Sequence, residues 1–240
     1  MDFLTIFASV RDDGIGLITL NRPEKRNALS IRMRQEISTC LHGWLMDDNV
    51  GLVVITGAGN AFCSGFDLEE FRQQDLFYQI LESSSSYHRD LWTFPKPTIA
   101  AINGAAIGGG FDLATLCDIR ICADTALFAH PEVKFGAPPL FTPLRWIIGD
   151  GMARDLCMTG RRIDAREAHR IGLVSTVAGE DILLERAVQL GASILEAPLD
   201  TLRFAKGFFT ENAGKGFEES FLREHDRAFR EVLFRKMTPG

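Results

Sequence analysis

No run of apolar residues in this 240-residue chain is long enough to cross a bilayer, which excludes a helical membrane span. The apolar stretch from Phe3 to Val10 follows Asp2 rather than a basic segment and ends in Arg11-Asp12-Asp13, so it reads as a first strand and not as a leader. Positive charge is also in short supply. With 26 Lys and Arg against 32 Asp and Glu, the formal net charge is -6, which argues against a sequence-independent grip on nucleic acid phosphates. RNA binding would need a local basic face that the sequence does not display. The five histidines (42, 88, 130, 169 and 225) include no pair at i, i+4, and the five cysteines (40, 63, 117, 122 and 157) include no C-x-x-C. A bound metal is therefore not expected. The cysteines read as free thiols in a reducing, cytoplasmic setting. No Ser-His-Asp arrangement for acyl transfer is readable.

What the chain does have is a 46% hydrophobic composition and enough length for a substantial core. Phe3 to Val10, the turn Asp12-Asp13-Gly14 and Ile15 to Leu20 predict a hairpin. Ser30 is a fitting N-cap for a helix whose apolar residues are Ile31, Ile37, Leu41, Trp44 and Leu45. Val50 to Thr56 and Thr98 to Ile102 read as buried strands. The polar stretch from Glu69 to Asp90, with four serines at 83 to 86, reads as a mobile loop with some helix. Short strands are expected at 119–123, 126–129 and 174–177. Helices are expected to about Leu116, at 152–158, at 165–171 behind Asp164 and Glu167, and from Asp181 onward with interruptions near Pro198 and Gly214 to Gly216. Strands alternate with helices first, and helices alone finish the chain, which defines an α/β protein.

Two segments repeat one pattern. Leu52 to Phe71 and Thr98 to Leu116 each run strand, turn, small residues and Gly-Phe-Asp-Leu, with Ser64 before the first such tetrapeptide and Gly109 before the second. Each copy presents a loop amide at a helix N-terminus, where N–H groups lack internal partners and the dipole favours an anion. Small residues let a ligand oxygen approach the backbone. Two such amides converging on one point, those of Ser64 and Gly109, would form an oxyanion hole.

The motifs Ala61-Phe62-Cys63-Ser64-Gly65-Phe66-Asp67-Leu68, Lys96 to Gly104, Gly108-Gly109-Gly110, and Thr159-Gly160 with Ala165, Ala168 and Gly172-Leu173-Val174 resemble those of the crotonase (enoyl-CoA hydratase/isomerase) superfamily, in order from about residue 5 to 190. The resemblance implies a spiral of β-β-α repeats over residues 1–190 and a helical oligomerisation segment over 191–240, assembling trimers or hexamers. It implies an acyl-CoA substrate and no cofactor beyond the coenzyme A of that substrate. Coenzyme A contacts are expected from Arg22, Lys25 and Arg26, whose charge suits phosphates, and from Ala61, Ser64, Asp67 and Leu68. Phe66, Phe135, Pro139 and Leu140 are expected to line the acyl pocket, because aromatic and proline side chains exclude water.

Enolate chemistry needs a proton-moving group near the thioester. Glu132, in His130-Pro131-Glu132, matches the position of a catalytic glutamate of the family. Asp112 stands where family hydratases carry a second glutamate; it is shorter by one methylene, roughly 1.5 Å of reach, enough to weaken or redirect hydration. Its repeat mate Asp67 suggests the plainer alternative of helix N-terminal stabilisation. His88 lies where it could touch the acyl group. The expected activity is an enoyl-CoA hydratase-like lyase of fatty acid metabolism. The alternatives are double-bond isomerisation with Glu132 as sole base, or a non-catalytic acyl-CoA-binding subunit.

Overall fold

The computed structural model describes residues 2–212 and residue 215. Glycine-rich Gly214 to Gly216 and the phenylalanines at 217, 221, 229 and 234 lie outside the described residues, apart from residue 215 itself. The chain begins with the strands β1 (Ile6–Val10) and β2 (Ile15–Leu20), paired antiparallel across the expected turn. Helix α1 (Ile31–Leu45) follows, with Ser30 accepting the Met33 N–H at 3.1 Å as its cap. Strands β3 (Leu52–Gly57) and β4 (Ala61–Cys63) lead to the single turn α2 (Leu68–Phe71) and to α3 (Phe77–Trp92). The pattern recurs as β5 (Thr98–Ile102), β6 (Ala105–Ile107) and α4 (Gly109–Leu116). It recurs again as β7 (Ile119–Ala123), β8 (Leu127–Ala129) and α5 (Phe141–Thr159). The described chain ends with β9 (Ile163–Asp164), α6 (Ala165–Arg170), β10 (Thr176–Ala178), α7 (Leu183–Ile194) and α8 (Leu199–Glu211).

From β3 onward, the three β-β-α units each send their first strand to one sheet and their second to another, so the chain winds as a spiral. The larger sheet has the order β1-β2-β3-β5-β7-β10, and the smaller has β4-β6-β8-β9. From β2 onward the larger sheet is parallel, and both its faces are covered. Alternation along β3 divides the load. Val53 and Ile55 join the main core with α1, while Leu52 and Val54 meet Leu183 and Ala187 of α7 on the other face. The expected boundary between residues 190 and 191 thus falls inside α7.

One segment departs from expectation. The stretch anticipated as a mobile loop with some helix is mostly helical, holding the four-turn helix α3, whose Ile80, Ser83, Tyr87 and Leu91 are buried at helical spacing. A serine in the apolar stripe hides the periodicity. Ser83 fits there because its hydroxyl donates to the Gln79 carbonyl at 2.6 Å and accepts from Arg34 Nε at 3.1 Å.

Candidate active site

The two sequence repeats lie side by side. β3 pairs with β5 in one sheet and β4 with β6 in the other, with Ala61 opposite Ala105 and Cys63 opposite Ala106. The loops leaving β4 and β6 therefore emerge next to each other. Gly65 (φ 96°) makes this approach possible: a Cβ there would stand 2.8 Å from the Ile107 carbonyl oxygen and 3.3 Å from the Gly109 nitrogen.

The amide facing Gly109 is not that of Ser64. The Ser64 N–H donates to the Arg26 carbonyl at 3.0 Å, and its hydroxyl donates to the Lys25 carbonyl at 3.2 Å, so Ser64 secures the loop. The Phe66 nitrogen takes the expected place. It would lie 3.5 Å from a methyl built on Gly109, and its N–H has no acceptor among the described residues. The N–H of Gly109, at the first position of α4, likewise has none. The correction has a local cause. In the second copy the helix begins at Gly109, before Gly-Phe-Asp-Leu, whereas in the first it begins after Asp67. Equivalent letters therefore hold different backbone positions. Phe66 is fixed by Arg34, whose guanidinium lies 4.8 Å from its ring centre, and by edge contact with Phe71 at 5.9 Å.

Glu132 and Asp112 approach this point from separate elements. Glu132 sits in a 3-10 turn after β8, and Asp112 in the first turn of α4. Gly108 (φ 53°) opens the way: a Cβ there would stand 3.2 Å from Glu132 Oε2. Oε2 of Glu132 and Oδ1 of Asp112 are both buried without a hydrogen-bond partner. Burial pushes the Asp112 carboxyl up to about 7, outweighing the lowering by His130, and the charge of Glu132 adds a smaller upward push. Sequence reasoning missed His130. It is fully buried, stacked on Phe111 at 4.6 Å, with Nδ1 at 2.8 Å from Glu132 Oε1 and Nε2 at 3.8 Å from Asp112 Oδ1. Only its adjacency to Glu132 in the sequence hinted at it.

The expected coenzyme A contacts divide. Arg22 is already engaged, with one guanidinium nitrogen 2.8 Å from Asp67 and another donating to the Ala28 carbonyl at 2.7 Å. It is a strut between loops rather than an open phosphate ligand, and Asp67, its partner, also caps the Glu69 N–H. Lys25 pairs with Glu69 at 2.6 Å on the surface, Arg26 is exposed, Leu68 is exposed, and Ala61 is buried in β4. Of the residues expected at the acyl pocket, Leu140 lines a cavity of ≈ 550 Å³ with His88, Leu116, Trp92 and Trp146, and Phe66 does not line it. His88 belongs to α3 and lies 6.4 Å from the Phe66 ring. Phe135, by contrast, is 84% exposed and does not line that cavity; Pro139 is half-buried and does not line it either. Among the described residues no cluster of three or more His, Cys, Asp and Glu is placed to hold a metal ion, and no helix is long and apolar enough to span a membrane.

Comparison with known proteins gives a consistent picture. The family model described as enoyl-CoA hydratase/isomerase matches residues 11–234. A Mycobacterium tuberculosis protein named "Probable enoyl-CoA hydratase" is 37% identical over 223 residues, covering 92% of this chain and 85% of that protein. The hydroxycinnamoyl-CoA hydratase-lyase of Pseudomonas fluorescens is 36% identical over 208 residues, covering 82% and 75%. The crystal structure of an enoyl-CoA hydratase from Bacillus anthracis superposes with a TM-score of 0.90 at 31% identity, over 96% of this chain and 92% of that one.

Proposed function

The chain belongs to the enoyl-CoA hydratase/isomerase family, and from that premise we propose that it adds water across the double bond of a 2-enoyl-CoA, and removes it in reverse. The observation that carries this reading is the pair of unpartnered, buried carboxylate oxygens, Glu132 Oε2 and Asp112 Oδ1, beside two uncommitted amides. Unsatisfied buried oxygens are costly unless substrate or water completes them.

In the forward direction the thioester oxygen lies between the N–H groups of Phe66 and Gly109. Glu132 accepts a proton from water as the oxygen bonds to C3, and the C2=C3 electrons move onto the thioester. The resulting negative oxygen is stabilised by the two amides, an effect worth about 3 to 4 kcal/mol per donor. The proton held by Glu132 then passes to C2, directly or by way of the Asp112 carboxyl, so water is consumed and both carboxyl groups return to their starting charge. Exposed Lys25 and Arg26 supply cations for the coenzyme A phosphates, while Arg22 and Asp67 hold the loop. The coenzyme A of the substrate is the sole cofactor this chemistry requires, and the working unit is a homotrimer or homohexamer.

The reach of Asp112 favours one rival: with that carboxyl withdrawn from the substrate, Glu132 alone would move a proton between C2 and C4. Turnover assays separate the two. Hydration removes the absorbance of a conjugated thioester and adds one water to the product mass. Isomerisation creates that absorbance from a 3-enoyl-CoA at constant mass. Glu132→Gln should reduce either activity at least ~1,000-fold, and an unimpaired variant refutes Glu132 as the base.

A further inference from the structure

His130 explains why only one oxygen of Glu132 is open. A carboxylate can only accept, so the imidazole Nδ1 at 2.8 Å from Oε1 carries a proton and donates it there. Oε1 is thereby committed, and Oε2 is left beside Gly108, next to the Gly109 amide. Across the ring, Nε2 is buried without a partner and faces Asp112 Oδ1, equally without one, at 3.8 Å. That gap exceeds a hydrogen bond, yet a small rotation of the Asp112 carboxyl would close it.

We propose that His130 is a positioning residue that clamps Glu132 through Nδ1, so that Oε2 is the oxygen presented to substrate, and links Glu132 to Asp112 through Nε2. The inference rests on the enoyl-CoA reading of the same site. Packing against Phe111 accounts for the burial of the ring but not for its polar edges, since a phenyl ring would stack equally well and leave no orphaned nitrogen. With Nδ1 protonated, the neutral imidazole offers a lone pair at Nε2, so a single proton between Nε2 and Asp112 satisfies both groups. The elevated carboxyl of Asp112 is in keeping with a proton held there near neutrality. The remaining titratable groups around the pair are Tyr87 from α3, Cys63 from β4 and Cys157 from α5. Each couples to Asp112, and burial holds each in its neutral form.

Two substitutions separate clamping from packing. His130→Phe keeps the stacked ring and removes both nitrogens. His130→Asn loses the ring but places an amide nitrogen near the Nδ1 position. With whichever enoyl-CoA the wild type turns over, His130→Phe should lower kcat at least ~100-fold with KM changed less than about threefold, since misplacement of a base by an ångström has that effect. His130→Asn should recover at least tenfold of the loss. Full activity in the Phe variant, or equal losses in both, overturns the proposal. The ¹⁵N-histidine spectrum, read for the wild type and for Glu132→Gln, gives a second test that needs no turnover. A protonated, hydrogen-bonded Nδ1 that shifts in Glu132→Gln supports the clamp, and an unprotonated Nδ1 overturns it. Absence of turnover in the wild type would sink the enoyl-CoA reading alone, leaving the spectrum to decide about His130.

Discussion

Replacing Asp112 with Asn should make the fold more stable and the enzyme less active, and the stability gain should depend on pH in a defined way. Asp112 is buried, and burial raises its carboxyl from an ordinary 3.8 to about 7. At ~1.4 kcal/mol for each pH unit, carrying the ionised group costs the fold about 4 kcal/mol. Between pH 3.8 and 7 the native state keeps a proton that the unfolded chain has released. The unfolded state then binds fewer protons than the native one, and stability falls as pH rises through this window. Above pH 7 the penalty is constant. Asn has nearly the same shape and cannot ionise. Denaturant unfolding of the two proteins should therefore show a gap in favour of Asp112→Asn that is under ~1 kcal/mol at about pH 4 and approaches ~4 kcal/mol at about pH 8. Turnover of the variant should fall at least ~100-fold. A gap of constant size across pH would show that Asp112 ionises normally in the fold. A stabilised variant with undiminished turnover would reduce Asp112 to a structural residue, the role its counterpart Asp67 has at α2.

Gly109→Ala would put a methyl 2.8 Å from two ring carbons of Phe66 and 3.5 Å from its nitrogen, inside the space assigned to the oxyanion. Steady-state kinetics should show kcat/KM reduced at least ~100-fold, and a fully active variant would place the oxyanion elsewhere. All five cysteines are buried, four with thiols pushed up to about 12 and Cys157 to about 11, so a disulfide reagent should release no thiol signal within minutes from the native protein at about pH 8 and five equivalents after unfolding. Prompt native reaction would contradict their burial. Lys206, 5% exposed, lies 2.7 Å from Asp118 and donates to the Lys96 carbonyl at 2.8 Å. Lys206→Met should lower the unfolding free energy by about 3 kcal/mol, and a loss below ~0.5 kcal/mol would show that α8 is anchored by other means.

The carboxylates illustrate how far one-dimensional pattern reaches. Glu132 and Asp112 can be picked out because they fall where the resembled family carries carboxylates, and the strands β3 and β5 because short, near-continuous apolar runs suit a strand covered on both faces. Helix α3 is obscured by Ser83, whose burial depends on Arg34, a partner 49 residues away. Arg22 looks like a phosphate ligand because its charge is visible in sequence, while its engagement with Asp67, 45 residues distant, is not.

From its sequence alone, the protein is determined as an α/β chain with duplicated glycine-rich turns, which follow from local periodicity and residue size, while the spiral and the pair of acidic candidates follow from its resemblance to the crotonase superfamily. Tertiary structure alone decided that the Phe66 amide, and not that of Ser64, opposes Gly109, because Arg26 takes up the Ser64 N–H across the loop. It alone placed His130 between Glu132 and Asp112. Hydrogen bonds are short and directional, so which donor remains available is settled only when distant segments meet.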